Sequence, residues 1–146
     1  LLDATGQKLV LKAAHGLSAA YLNRGSIDAE MSVLAALKGT PIAISDAADD
    51  ARIDYPDAAR REGIQSIIVA PIPRRGKIIG ILRLLTRNRR EFNSFEIDFV
   101  AALAEQCGIE ADDQTIGVDL PEEHPQESPP MAVAASRILL RQSSSR

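Results

Sequence analysis

Two nearly continuous apolar runs, residues 66–72 and 77–85, dominate the middle of the chain. Between them, Pro73, Arg74, Arg75 and Gly76 are typical of a tight turn, so the pattern predicts a β-hairpin. Neither run alternates cleanly between polar and apolar residues, which indicates that helices or long loops cover both faces of the hairpin. Pro71 and Pro73 lack backbone N–H donors, so pairing on one side should end near Pro71.

Shorter elements are predicted around this hairpin. Glycine and proline positions and apolar spacing place a strand end at residues 1–3, strands at 8–14 and 41–44, and helices at 19–23, 29–37 and 56–62. After the hairpin, Asn93 is a suitable N-cap and Glu96 follows three residues later, a pair typical of a capping box. This pair predicts the start of the longest helix.

The sequence changes character after Ala111. Residues 112–130 are rich in Asp, Glu and Pro and carry no apolar stripe, so residues 112–146 are predicted to be a disordered acidic, proline-rich linker or tail. A short helix over residues 131–141 is an alternative for its last part. Because this tail has little apolar area to bury, we expect its removal to leave the thermal midpoint unchanged.

Length and composition limit the classes of protein to which this chain can belong. A chain of 146 residues suffices for one domain without disulfides, and a single cysteine, Cys107, leaves no disulfide framework or thiolate cluster for zinc. This cysteine usage favours a reducing, cytoplasmic setting. We find neither a signal peptide nor an apolar run long enough to span a membrane. The chain begins with leucine inside a predicted strand, so we expect a fragment of a longer polypeptide.

Charge and side-chain chemistry argue against nucleic-acid binding and catalysis. The net charge is −3, and residues 111–146 carry it, with six acidic residues and three arginines. A neutral domain with 3% aromatic residues and no tryptophan is not typical of a nucleic-acid binder. The sequence has no histidine paired with a plausible nucleophile, no phosphate-binding glycine loop and no pair of carboxylates that can be placed in one site. We therefore expect a non-enzymatic domain.

The order and spacing of several short phrases resemble a bacterial GAF domain over residues 1–111. The phrases are His15–Ser18, Pro41–Asp46, Tyr55–Pro56, Gly63–Ser66, Ala70–Ile72, Gly80–Leu82 and Phe92–Glu96. The resemblance implies an α+β fold with a mostly antiparallel sheet of five or six strands. Terminal helices would cover one face, and short helices and loops would cover a small-molecule pocket on the other. The first helix and most of the first strand of the family pattern are missing, so the domain is expected to be N-terminally incomplete.

From this resemblance we expect a small-molecule-sensing regulatory domain of a histidine kinase, nucleotide cyclase or transcription regulator. The residues expected to bind its unidentified ligand are Tyr21, Asp46, Tyr55 and Ser66 through polar groups and Ile68 as part of the pocket floor. For Tyr21 and Tyr55, filling the roof of the pocket is the alternative role. For the whole domain, the alternative is a dimerisation or protein-interaction module without a ligand.

The last predicted helix is the candidate association surface. Its apolar residues Phe99, Val100, Leu103 and Cys107 form a stripe wider than one sheet face needs, which predicts a homodimer through this helix. Cys107 has a second interpretation as a small buried hydrophobic residue. We expect no bilin attachment at Cys107, because the helix should lie away from the pocket. A lone cysteine also excludes methionine sulfoxide reduction, which needs a resolving thiol.

Three other chemistries are less favoured. Asn88, Arg89, Phe92 and Glu96 imitate the family's cyclic-nucleotide pattern, but arginine replaces its lysine and Ile97 its second acid, and a helix cap explains Phe92 and Glu96. His15 is more typical of a hydrogen-bonded loop residue than of a haem ligand. The aspartates of residues 46–57 lack the spacing of a calcium loop. We therefore predict no metal and no cofactor.

Overall fold

The computed structural model describes residues 1–111 and, for the backbone, residues 131–135. Its elements in chain order are α1 Ala19–Leu22, α2 Met31–Leu37, β1 Ile42–Ile44, α3 Pro56–Glu62, β2 Ser66–Arg74, β3 Lys77–Thr86, α4 Ser94–Glu110 and β4 Met131–Ala135. The four predicted helices are confirmed, and each begins within two residues of its predicted start.

The predicted hairpin is confirmed as the centre of the sheet. β2 and β3 pair antiparallel from Ser66↔Thr86 to Arg74↔Lys77. Arg75 and Gly76 at the turn both have a positive φ, 50° and 76°, as a two-residue type I′ hairpin turn requires. On the other edge of β2, pairing with β1 ends at Val69, just before Pro71, as the missing proline donors predict.

Two separate segments cover the free edge of β3. The amide of Leu2 donates to the carbonyl of Ile79 at 2.8 Å, and β4 pairs antiparallel with Leu82–Thr86. The strand at Met131–Ala135 replaces the short helix considered for residues 131–141, because its backbone extends the sheet. The rest of the predicted tail, residues 112–130 and 136–146, lies outside the described residues. The α+β class is confirmed, but the described residues contribute four strands, so a count of five or six is not confirmed.

The predicted strand at residues 8–14 is wrong in extent. It is reduced to an isolated antiparallel bridge between Leu2 and Leu9, supported by two hydrogen bonds between Leu1 and Val10. The side chains of Val10 and Leu11 are exposed. A segment that buries so little apolar surface gains too little from packing to continue as a strand.

The sheet separates two apolar clusters because successive residues of a strand point to opposite faces. On one face, Ile68, Ala70 and Ile72 of β2 pack with Val100 and Ala104 of α4. On the other face lies the roof cluster, which combines sheet residues with α1, α2, α3 and their loops. Its central members are Leu17, Tyr21, Val33, Ile53, Ile64, Ile67, Val69, Ile81 and Leu85.

α4 lies unusually close to β2 at one point. A Cβ atom added to Gly108 would lie 1.8 Å from the carbonyl oxygen of Pro73, so no larger residue fits between the helix and the strand without movement. The N-terminal capping box of α4 is confirmed: Asn93 accepts from the amide of Glu96 at 2.9 Å, and Glu96 accepts from the amide of Asn93 at 3.0 Å.

Candidate functional site

A buried ion pair lies beneath the roof of the sheet. Arg83 of β3 occupies the alternate position between Ile81 and Leu85, so its side chain points to the roof cluster. Its Nη2 atom donates to Oε1 of Glu30, the N-cap residue of α2, at 3.0 Å. Arg83 is 4% exposed and Glu30 1% exposed, so both charges are removed from water.

Glu30 is held by further donors. Its Oε1 also accepts from the hydroxyl of Ser32 at 2.5 Å, and its Oε2 accepts from the amide of Asp54 at 3.4 Å. The carboxylate thereby joins α2 to β3 and to the loop that leads into α3. Arg83 is less well satisfied, because its Nε and Nη1 atoms are buried without a hydrogen-bond partner among the described residues.

Arg24 is a second cation in this part of the domain, half-buried against Tyr21 of the roof cluster. Its guanidinium lies 3.9 Å from the centroid of the Tyr21 ring, and its Nη1 atom donates to the carbonyl of Tyr21 at 2.7 Å. Burial lowers the pKa of Arg24, and among nearby charges Arg83 lowers it further whereas Glu30 raises it. Arg24 is thus held to α1 by its contacts with Tyr21, whereas Arg83 and Glu30 pair with each other.

Tyr55 forms the outer wall of this region. Its hydroxyl donates to the carbonyl of Ser26 at 2.9 Å, and its ring packs against the roof cluster. Gly25 has a φ of +137°, and a Cβ atom there would lie 2.4 Å from the Tyr55 hydroxyl oxygen. Glycine is therefore required at this position for two reasons: the backbone conformation and the close approach of the Tyr55 ring.

A cavity of about 320 Å³ opens between α1, Arg24 and the first turn of α3. Its lining residues are Ala20, Arg24, Asp54, Tyr55, Pro56, Asp57, Ala58 and Arg61. Arg24 is the charged residue of α1's C-terminal side that lines this cavity, whereas Glu30 and Arg83 are not among its lining residues.

Hydrogen bonds at the opposite end of α1 fix its position above the sheet. Ser18 caps α1 by accepting from the amide of Tyr21 at 3.2 Å, and the Glu62 carboxylate accepts from the Ser18 amide and hydroxyl at 2.7 and 2.5 Å. Arg87, just after β3, donates to the carbonyls of Glu62 and Gly16. α1, which carries Tyr21, is thus tied to α3 and to the sheet.

The structure brings together two of the five predicted ligand-binding residues. Tyr21 is buried under Arg24, and Tyr55 lines the cavity. Ser66 bonds instead to the backbone of Ser45 and Arg90, and Asp46 accepts from the Ala48 amide and pairs with Arg89 at 3.4 Å. These contacts place Asp46 and Ser66 together where β1 and β3 lead into their following loops.

Ile68 requires a correction. It points to the α4 face and packs in the cluster of Val100 and Ala104, whereas its neighbours Ile67 and Val69 face the roof. The β2 residues that lie beneath the roof cluster are therefore Ile67 and Val69, which alternate with Ile68 along the strand. The sequence pattern did not single out Arg83, Glu30 and Arg24; an arginine inside an otherwise apolar strand was the available signal.

The predicted association stripe on α4 also divides between two faces. Phe99 and Leu103 are exposed, together with Phe95, and follow one another at four-residue intervals along the helix. Val100 is 3% exposed and Cys107 packs partly buried on the sheet side, so these two residues belong to the domain's own core.

The residues that resemble the cyclic-nucleotide pattern do not line the cavity. Phe92 packs in the α4-side cluster, and Glu96 belongs to the helix cap.

The described residues lack two features that mark other classes of protein. No group of three or more His, Cys, Asp and Glu side chains is arranged to hold a metal ion in the described part of the chain. Within the same residues, no helix has both the length and the apolar character needed to cross a membrane.

The fold and sequence together identify the family. The model of the GAF domain family matches residues 2–111, and the chain belongs to this family. A solved structure with a similar fold is described as a domain of a two-component sensor histidine kinase protein from Sinorhizobium meliloti 1021. It is 22% identical in sequence, with a TM-score of 0.58, and the match covers 76% of this chain and 73% of that one. The comparison with curated proteins gave no match. The family match supports a sensory regulatory domain.

Proposed function

We propose that this chain is a non-catalytic, small-molecule-sensing domain of a cytoplasmic signal-transduction protein, with its ligand in the cavity between α1 and α3. The observation that carries the proposal is charge inside the domain: the half-buried Arg24 lines the cavity and stacks on the Tyr21 ring, and the buried Glu30–Arg83 pair lies beneath the roof cluster. An ordinary core would be apolar at these positions, because burying charge is costly.

The elements around the cavity suggest how a bound ligand would act. A ligand there would touch Arg24, which is anchored on Tyr21 of α1, and Tyr55, which begins α3. Glu30 accepts from the Asp54 amide, so the loop into α3 is joined to the buried pair. A ligand shifts an equilibrium when it contacts one state better than another, and here the two states would differ in the arrangement of α1 and α3.

The sheet connects the face that carries the roof cluster to the face that carries α4. β2 contributes Ile67 and Val69 to the roof cluster and Ile68 and Ala70 to the α4-side cluster. A displacement of the roof would therefore act on residues that also support α4. The readout would be a change in the position or association of α4, the expected connection to an output domain such as a histidine kinase, a cyclase or a transcription regulator.

Extraction tests the proposal even though the ligand is unidentified. Purified protein is denatured, and the released small molecules are analysed by mass spectrometry against a variant in which the cavity wall is removed, Tyr55→Ala. We expect one small molecule at near-stoichiometric amount from the wild type and a reduced amount from the variant. Equal recovery from both proteins, or no molecule from the wild type, would contradict a ligand at this cavity.

A second candidate function is dimerisation through α4, and a specific observation favours it. Phe95, Phe99 and Leu103 form an exposed apolar stripe on the side of α4 that faces away from the sheet. Exposed apolar patches of this kind often mark association surfaces. We propose that this stripe pairs with its copy in a homodimer, which is compatible with sensing because dimerisation and ligand binding use opposite faces of the sheet.

A further inference from the structure

We propose that the cavity between α1 and α3 binds a small zwitterion of the α-amino acid class, with its carboxylate at Arg24 and its ammonium group at Asp54. The inference rests on the proposed sensing function, since it assigns a chemical class to the ligand of the same cavity. Three observations lead to it: the balance of charge in the lining, the charged groups that remain without a partner, and the size of the cavity.

The first observation is charge. The cavity lining combines two guanidinium groups, those of Arg24 and Arg61, with two carboxylates, those of Asp54 and Asp57. Such a lining has no net charge, so it favours neither a simple anion nor a simple cation. A ligand that carries one charge of each sign matches it, because each charge then meets a group of opposite sign.

The second observation is that Arg24 and Asp54 line one cavity without pairing with each other. Among the described residues, the Arg24 guanidinium makes one hydrogen bond, from Nη1 to the carbonyl of Tyr21, and its other donors are not buried. The Asp54 amide donates to Glu30, whereas the Asp54 carboxylate is exposed and makes no hydrogen bond or ion pair within the same residues. A cation and a carboxylate are therefore both available to a ligand.

The other two charged residues of the lining are less suited to hold a ligand. The Asp57 carboxylate already accepts from Arg60 at 2.6 Å. Arg61 is exposed, and no hydrogen bond, ion pair or ring contact fixes its guanidinium in the described part of the chain. Holding a flexible side chain in one geometry costs conformational entropy, so a fixed guanidinium binds a carboxylate better than a free one.

Arg24 is fixed in this way, and its position is close to the segment that carries Asp54. Its guanidinium lies 3.9 Å from the centroid of the Tyr21 ring and 6.0 Å from that of the Tyr55 ring. Tyr55 follows Asp54 directly in the chain. Arginine is also the side chain best suited to the geometry of a carboxylate.

The third observation is the size of the cavity. Its volume of about 320 Å³ is at the low end for small-molecule sites, which favours a compact ligand over a nucleotide. An α-amino acid carries its ammonium and carboxylate groups on one carbon atom, so it presents both charges within a small space. A ligand that bridges Arg24 and Asp54 would join the end of α1 to the loop that leads into α3.

Calorimetric titration of the purified protein with L-alanine, L-leucine and L-glutamate tests the class. Each amino acid is compared with two derivatives: its α-amide, which lacks the α-carboxylate charge, and its N-acetyl form, which lacks the ammonium charge. We expect saturable binding of at least one amino acid. We expect both of its derivatives to bind about tenfold more weakly or worse, because each loses one charge-assisted interaction.

Variants locate the two charges. Arg24→Gln should weaken binding of the amino acid about tenfold and leave the affinity for its amide unchanged, because the amide has no α-carboxylate to lose. Asp54→Asn, at an exposed position where folding is not at risk, should weaken the amino acid similarly and leave its N-acetyl form unchanged. Arg89→Gln and Asp49→Asn remove the same charges from exposed positions outside the lining and should bind as the wild type does.

The outcomes separate this inference from the proposed function. Equal binding of the amino acid and either derivative, unchanged affinity in Asp54→Asn, or equal weakening by the two control variants would overturn the zwitterion site. Absence of binding by all three amino acids would also overturn it. If extraction then yields a different small molecule from the wild type, sensing stands without this ligand class; if it yields nothing, the sensing function fails as well.

Discussion

The carboxylate of Glu30 and the guanidinium of Arg83 lie 3.0 Å apart in the interior of the domain, although 53 residues separate them in the sequence. Removing one partner leaves the other charge buried without compensation. We expect Arg83→Met to lower the free energy of unfolding by about 3–5 kcal/mol and the double variant Glu30→Gln with Arg83→Met to lose much less. Denaturant unfolding measures both. Equal losses in the single and double variants would show that the two charges are not coupled.

Close packing of α4 on β2 predicts whether a glycine-to-alanine substitution stabilises or destabilises the domain. At an exposed helical position, Gly→Ala stabilises by roughly 0.5–1 kcal/mol, because alanine loses less backbone entropy on folding. At Gly108 the new Cβ would meet the Pro73 carbonyl, so we expect Gly108→Ala to destabilise by about 1–3 kcal/mol. Ala102→Gly on the exposed side of α4 calibrates the intrinsic preference. A stabilising Gly108→Ala would show that the helix does not approach the strand so closely.

The contact between Gly25 and Tyr55 is tested by a double-mutant cycle. Gly25→Ala combines an unfavourable backbone conformation with a clash against the tyrosine ring, and we expect a loss of about 2 kcal/mol or more. In a Tyr55→Ala background the clash is absent, so the same change should cost less. Tyr55→Phe, which removes the hydrogen bond to Ser26, should cost about 1 kcal/mol. Additive effects of the two alanine substitutions would argue against this contact.

Association through α4 is tested with two leucines of equal exposure. Leu103 on α4 and Leu34 on α2 are both 43% exposed, and the two helices pack on opposite faces of the sheet. Sedimentation at increasing concentration should show a dimer for the wild type that weakens with Leu103→Asp, because a charge would be buried in the interface. Leu34→Asp should leave the dimer unchanged. A strictly monomeric wild type, or equal effects of both variants, would contradict the proposed interface.

β4 leads to a different expectation for the tail than composition alone. Because β4 covers the β3 edge from Leu82 to Thr86, deleting residues 112–146 should expose unpaired backbone groups and lower the thermal midpoint by several degrees. Deleting residues 136–146 alone should have little effect. If the longer deletion leaves the thermal midpoint unchanged, the β4 pairing adds no stability, as the composition of the tail alone predicts.

Local signals predicted the helices and the hairpin from the sequence. Pro56 and Gly63 at the ends of α3, and Asn93 with Glu96 at the start of α4, act within a few residues of themselves, so their effects are visible in the sequence. The strand expected at residues 8–14 and the strand found at 131–135 depend on contacts with distant residues. Such contacts override weak local preference, which explains both errors.

The candidate site was predicted less well. Tyr21 and Tyr55 were found because they are rare and lie in segments that the family resemblance places over the sheet. Ile68 was assigned to the wrong face because β2 is apolar on both sides. Its sequence pattern therefore does not reveal which of its alternating residues face the roof cluster. The pairing of Glu30 with Arg83 joins an N-cap to a central strand, and no local pattern indicates such a partner.

Hydrogen–deuterium exchange on the protein as purified, compared with protein stripped of ligand by unfolding and refolding, tests the central claim most directly. The account predicts faster exchange after stripping in residues 19–30 and 54–61, which surround the cavity, and little change in Ile67–Ala70 at the centre of the sheet. Identical exchange in the two preparations, or a change confined to Ser94–Glu110, would contradict a ligand-binding cavity beneath the roof.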